Sequence, residues 1–204
     1  MSFYADRIVP LLIDLAMRQK RLRPYRERIV GAAKGRVLEV GIGSGLNLPL
    51  YRACVPQVLG LDPSPRLLAQ ARQRARQLPV TVEFIQGSAE AIPLDNHSVD
   101  TVVMTWTGCS IPDATAALAE MRRVLRPAGR LLFVEHGRAA ELSVARWQDR
   151  LTPLWRPISG GCHLNRKIDA LIETAGFRIE QLETGYMSGP KPLTFMYEGS
   201  ARPS

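Results

Sequence analysis

The stretch Val37–Asn47, "VLEVGIGSGLN", limits what this chain can fold into more than any other part of it. An apolar run ending in Glu39 passes directly into a turn with glycines at alternate positions, Gly41, Gly43 and Gly45. Glycine serves where the backbone turns tightly or where a ligand approaches without meeting a side chain. The pattern therefore predicts a strand that breaks into a ligand-binding turn and a helix, presenting backbone N–H groups and a positive helix end. Its spacing excludes two ligands. The dinucleotide fingerprint needs glycine or alanine at the sixth position, which is Leu46 counted from Gly41 and Leu48 counted from Gly43. A phosphate-binding loop fails because no Gly-Lys-Ser/Thr follows.

Strand-like and helical patterns alternate around this turn. Residues 1–34 form an N-terminal helical unit. In it, Ile8, Leu11, Leu12, Leu15 and Ala16 make one face of an amphipathic helix over 4–22, with Arg18, Lys20, Arg21 and Arg23 near its end, and a second helix spans 24–33. Residues 36–136 form the core, with strands "RVLEV", "QVLGLD", "VTVEFIQ", "SVDTVVMTW" and "GRLLFVEH" and helices over 46–54, 64–77 and 113–125. Residues 137–164, with Trp147, Trp155, two prolines and "SGG", break the alternation and read as an insertion or lid. Residues 165–204 supply a helix over 165–175 and the strands "FRIEQLETG" and "LTFMYEG". Alternation of this kind implies a single α/β domain, a parallel sheet with helices on both faces.

Composition narrows the function classes. No stretch reaches the ~20 apolar residues of a membrane span, since "IVPLLI" is closed at once by Asp14. Asp6 and Arg7 precede that run and no small-residue cleavage site follows, so a cytoplasmic protein is expected. The net charge of +8 is concentrated at the start, where residues 1–36 hold nine Lys/Arg against three Asp/Glu. That basic stretch reads as a solvated helix face or a peripheral contact with anionic lipid. It lacks the interleaved aromatic residues of a nucleic-acid platform, so no nucleic-acid partner is expected. Cys54, Cys109 and Cys162 form no CxxC pair, which fits a reducing compartment. The adjacent Cys162 and His163 lack a second ligand pair, so no metal site is expected. Oligomeric state is not legible.

Glu39, Gly41, Gly43 and Gly45 make the pattern E-x-G-x-G-x-G, which resembles the first motif of class I S-adenosylmethionine-dependent methyltransferases. Asp62, ending "VLGLD", stands where an acceptor carboxylate takes both ribose hydroxyls; its other reading is a cap for the helix after Pro63. "GSAEAIPL" resembles the family's third-strand loop, with Ala89 and Glu90 against adenine, and "SVDTVVMTW" resembles its fourth strand. "MRRVLRPAGRLLFVEH" resembles the branch that includes ubiquinone and menaquinone methyltransferases. The resemblance covers residues 36–136. It implies a Rossmann-like sandwich with a seven-stranded, mostly parallel sheet, S-adenosylmethionine as cofactor and S-adenosylhomocysteine as product. The cofactor-binding positions it implies are Glu39, Gly41, Ile42, Gly43, Gly45 and Asn47, then Asp62, Pro63 and Leu67, then Ser88, Ala89 and Glu90, then Thr105 and Trp106, with Tyr4 folding over the cofactor. "EHGRA", the Trp147 and Trp155 pair, "GGCHLNR", "AGF" and "YEGSA" resemble the small thiol-methyltransferase-like group, whose animal members are membrane-associated. "VLEVGIGSGLNLPLY" looks equally like the phospholipid N-methyltransferases.

Methyl transfer from a sulfonium is an in-line displacement, for which a protein supplies mainly alignment and a water-poor pocket. The acceptor is expected above the ends of the fourth and fifth strands, near Thr105, Trp106, Cys109, Glu135 and His136. His136 is a candidate base or a hydrogen-bonded structural histidine, and His163 in the presumed lid has the same standing. His97 lies in a polar turn and is expected to be exposed. Cys109 has no base beside it and reads as a small core residue lining the acceptor side. Trp147 and Trp155 either cover the pocket or pack the irregular segment. The reading is methyl transfer to a small or lipophilic acceptor: a thiol first, a phospholipid amine or quinone precursor second. A non-catalytic S-adenosylmethionine-binding module is the alternative of a different class.

Overall fold

The computed structural model describes residues 9–204; Tyr4 and Ile8 lie outside the described residues. Seven strands form one sheet: β1 (Arg36–Val40), β2 (Gln57–Asp62), β3 (Thr81–Gln86), β4 (Val99–Thr105), β5 (Leu125–His136), β6 (Phe177–Tyr186) and β7 (Phe195–Pro203). Their order is β3-β2-β1-β4-β5-β7-β6. Pairings from β3 to β5 are parallel, and β7 runs antiparallel between β5 and β6. Chain direction across the sheet reverses between β1 and β4, and a crevice opens at the carboxyl ends of strands at such a switch point.

Successive side chains in a strand point to opposite faces. Val37, Val58, Val103, Leu132 and Val134 pack on one side with Ile29 and Val30 of α2 (Arg23–Gly31) and Leu68 of α3 (Pro65–Ala75). Leu38, Leu59, Val102, Leu131 and Phe133 pack on the other with Leu118 and Met121 of α4 (Ala114–Val124) and Ile172 of α6 (Ile168–Thr174). Val and Leu dominate both faces. α3 starts at Ser64, whose hydroxyl accepts from Leu67 N at 3.3 Å, followed by Pro65. Asp113 caps α4 through Ala116 N at 2.9 Å. α4 stops at Val124 as the "RPAG" signal requires, but residues 125–128 are already extended and belong to β5, with a register shift opposite Val99 and Thr101.

Three expected elements differ. The helix over 46–54 is only a 3-10 turn, Leu48–Leu50. Pro49 has no N–H to donate, and Tyr51 is extended because its hydroxyl reaches back to Glu39 at 2.7 Å. The helix over 4–22 is described as α1 (Val9–Met17) and a 3-10 turn, Lys20–Leu22. The apolar face of α1 points outward: Leu11, Leu12, Leu15 and Ala16 are exposed, and buried Asp14 accepts a hydrogen bond from the Ser44 hydroxyl. Half of residues 137–164 form a helix, α5 (Leu142–Trp155). Its inward side is anchored by a polar residue, which hid the periodicity. Gln148 is fully buried, accepts from Ala139 N at 2.8 Å and donates to Gly137 O at 2.9 Å and Pro192 O at 3.2 Å.

Candidate active site

The glycine turn is tied back over β2: Gly41 N and Ile42 N both donate to Leu61 O, at 2.8 and 3.1 Å. Gly41 has φ +71°, and a Cβ there would collide with the Thr107 side chain. Glycine is required on both counts. Gly43, at φ +55°, differs: its Cβ position meets nothing nearer than Gly41 O at 3.9 Å, so the turn is open on this side. Gly45 packs on Leu48 and Ala71, and Ile42 is buried against Gly60.

Asp62 stands beside the open side. Its Oδ2 accepts from Gly43 N at 2.9 Å and its Oδ1 from Ser64 N at 2.8 Å, linking the glycine turn to the loop after β2. Because Ser64 caps α3, the helix-cap reading of Asp62 falls. Burial raises the Asp62 carboxyl pKa, and the two backbone N–H groups pull it back down. Exposed Pro63 follows, and Leu67 is buried in the first turn of α3. Beyond β3, Ala89 is buried and Ser88 is exposed, donating from its hydroxyl to Glu90 at 2.9 Å. The other Glu90 oxygen accepts from Asp113 N at 2.7 Å, which spends it on the start of α4.

Below the turn lies a buried polar network. Asn47 Nδ2 donates to Glu39 Oε1 at 2.9 Å and to Thr105 Oγ1 at 3.0 Å, while Asn47 Oδ1 accepts from Arg26 Nη1 at 2.7 Å. Arg26 lies over the Trp106 ring, 4.8 Å from its centroid, and Trp106 has φ +51°. Burial pushes Glu39 up to about 7 and lowers Arg26 to about 10. Sequence reasoning missed Arg26, since one arginine in a basic helix looks like any other solvated charge.

At the ends of β4 and β5 the expectations are partly corrected. Glu135 is fully buried, and it holds the loop after β4 by accepting from Thr107 N at 2.8 Å, Gly108 N at 3.0 Å and Cys109 N at 3.1 Å. Both of its carboxylate oxygens are engaged by these backbone N–H groups. His163 is latched to the same loop, its backbone N donating to Cys109 O at 2.8 Å and its ring Nδ1 lying 3.2 Å from that oxygen. Burial lowers its pKa. Arg166 adds a further tie, donating to Gly108 O at 2.6 Å and Pro112 O at 3.0 Å. Trp147 is 55% exposed, beneath the Arg150 guanidinium. The inward position beside it belongs to Gln148. Trp155 is half-buried and contacts the Cys162 thiol. Cys109, His136 and Cys162 come together at this edge, although chain neighbours suggested no such grouping. His97 is exposed as expected.

Methyltransferase-domain proteins as a family match residues 38–133. A phosphatidylethanolamine N-methyltransferase of Cereibacter sphaeroides is 34% identical over 177 residues, covering 82% of this chain and 81% of that one. The chain belongs to the S-adenosylmethionine-dependent methyltransferases. A thiol S-methyltransferase, TMT1B of Rattus norvegicus, is 36% identical to this methyltransferase over 152 residues, 72% of this chain and 62% of the rat protein. The match thus spans less than two thirds of the rat protein's length. A methyltransferase structure from Thermotoga maritima superposes with TM-score 0.69 at 21% identity, covering 97% of this chain and 99% of that one, a likeness of fold. The cofactor of the methyltransferase is S-adenosylmethionine. The turn fits such a group: its side at Gly43 is open, and the carboxylate of Asp62 stands beside the opening.

Proposed function

We propose that the methyltransferase moves the methyl group of S-adenosylmethionine onto a small lipophilic thiol. The observation that carries the donor half is the contact of Asp62 with Gly43 N at the open side of the glycine turn, 2.9 Å long, at the switch point of the sheet. In this reading Asp62 accepts from the ribose hydroxyls. Ser88, Ala89 and Glu90 flank the adenine. Gly41, Gly43 and Gly45 shape the turn, with Glu39 and Asn47 fixing it from below. When bound, the cofactor supplies a methyl carbon already activated by positive sulfur. The chain aligns that carbon with the acceptor and excludes water.

The acceptor half is supported by the 36% identity to a thiol S-methyltransferase. A thiol attacks as thiolate, so the proton must be lost first. Cys109, His136 and Cys162, at the ends of β4 and β5, are the groups able to hold that proton or the charge it leaves. A phosphatidylethanolamine amine is the second reading, favoured by the 34% identity to that enzyme over most of its length. Labelled cofactor incubated with alkyl thiols, phosphatidylethanolamine vesicles and quinone precursors separates these. Label in the thioether supports the thiol reading, and label only in lipid or quinone overturns it. Consumption of none favours a binding module.

Peripheral membrane contact belongs to the same proposal. Among the described residues no helix is long and apolar enough to cross a membrane. The exposed Leu11, Leu12 and Leu15 of α1, followed by exposed Arg18, Lys20, Arg21 and Arg23, suit an anionic lipid surface. Serine at the three leucines should abolish co-sedimentation with anionic vesicles; unchanged sedimentation refutes the contact.

A further inference from the structure

We propose that Cys109, His136 and Cys162 form a three-ligand site for a thiophilic divalent cation of the zinc type, whose open fourth position takes the acceptor thiol. Cys109 Sγ lies 3.6 Å from Cys162 Sγ, Cys162 Sγ lies 3.7 Å from His136 Nδ1, and the ligand atoms of all three are within 4.8 Å of one another. Zinc binds thiolate at about 2.3 Å and imidazole at about 2.0 Å in a tetrahedron, whose edges are then about 3.8 Å between sulfurs and about 3.5 Å between sulfur and nitrogen. Two of the three edges are therefore already near the lengths a cation requires.

The three side chains come from separate segments, each fixed on its own. Glu135 and His163 hold the backbone of Cys109 from both sides, by its N–H and its carbonyl. His136 ends β5 at 6% exposure. Cys162 is carried in by the chain after α5, where His163 and Arg166 latch the segment to the loop after β4. His136 Nδ1 is the ring nitrogen beside Cys162; Nε2 lies on the other side of the ring, buried and with no hydrogen-bond partner among the described residues. The expectation of no metal rested on Cys162 and its neighbour His163; the fold turns His163 away and gives Cys162 different partners.

Three protein ligands with a fourth position open are typical of catalytic rather than structural zinc sites. The next part rests on the thiol reading. The acceptor thiol gives its proton to solvent and binds as thiolate. A sulfur electron pair then forms the new S–C bond while the bond from the methyl to the sulfonium breaks. That bonding pair stays on the cofactor's sulfur, leaving S-adenosylhomocysteine and a thioether. The position suits this step, since Cys109 is two residues from Thr107, whose side chain fills the space beside Gly41.

Cobalt(II) titration of the reduced, chelator-stripped protein tests the site. The expected result is one equivalent bound with the intense visible absorption of a tetrahedral ion and a sulfur-to-metal charge-transfer band, both displaced by zinc. Cys162→Ser should weaken binding at least about 10-fold and diminish that band, whereas Cys54→Ser, at an exposed cysteine, should change nothing. Absence of the band in the wild type, or its persistence in Cys162→Ser, overturns the site. Should Cys162→Ser fail to fold, alkylation of the wild type decides: zinc should protect Cys109 and Cys162 from iodoacetamide but not Cys54, and equal labelling with and without zinc overturns the proposal. An alkyl thiol added to the cobalt form should strengthen the charge-transfer band; no change removes the acceptor from the fourth position. Equal turnover of thiols by zinc-free and zinc-loaded protein also refutes that role. If no thiol is consumed in either form while the cobalt band stands, the thiol reading fails and the metal site does not.

Discussion

Asn47 Nδ2 lies 2.9 Å from Glu39 Oε1, and each residue is 1% exposed. The same amide group serves Thr105 and Arg26, so one side chain joins β1, β4 and α2 beneath the glycine turn. Asn47→Ala leaves a buried carboxylate and a buried guanidinium each short of a partner, which costs about 2–3 kcal/mol. Urea unfolding should show that loss, and a change below about 0.5 kcal/mol would mean that the network does not hold the turn.

The pH dependence of stability carries a sign. Glu39 titrates near 7 in the folded chain against an ordinary 4.5, because burial disfavours its charged form. Between those values the folded state keeps a proton that the unfolded state has lost, so stability falls as pH rises across the window and levels off above about 7. Asp62 and Glu135 are raised by burial as well and act in the same direction. Unfolding midpoints measured across that window should give a shallower slope for Glu39→Gln than for the wild type. An identical slope contradicts the assignment.

Much of this site was legible because its residues announce themselves locally. The glycine turn, Asp62 and the strands around them are contiguous patterns, and glycine is irreplaceable at Gly41 for a reason of space. What escaped depends on contacts between distant segments. Arg26 meets Asn47 across 21 residues, and Cys162 meets Cys109 across 53. α5 escaped because a polar residue, Gln148, occupies its inward position, and the part Glu135 plays escaped because its carboxylate is spent on backbone N–H groups that no spacing reveals.

Gly41 and Gly43 should separate folding from binding. Gly41→Ala is expected to destabilise the protein by more than about 2 kcal/mol, through positive φ and collision with Thr107. Gly43→Ala meets no neighbour inside 3.9 Å, so its cost should be only the strain of its φ, about 1 kcal/mol, while its methyl group obstructs the cofactor. Thermal unfolding beside a binding assay checks this. Undiminished cofactor affinity in Gly43→Ala would contradict the open-side assignment.

Glu135→Gln keeps the shape of the side chain but turns one acceptor oxygen into an N–H donor facing backbone donors. About 3 kcal/mol or more should be lost, with faster hydrogen exchange at Thr107, Gly108 and Cys109 than in the wild type. Unaltered exchange at these three amides would show that another group holds the loop.

The donor site is tested most directly by calorimetry with S-adenosylhomocysteine on the wild type and on Asp62→Ala. The wild type should bind one equivalent. Asp62→Ala should lose at least about 10-fold in affinity, the cost of charge-assisted hydrogen bonds to the ribose. No binding to the wild type, or equal affinity in the two proteins, would contradict the assignment of Asp62 and the glycine turn as the cofactor site.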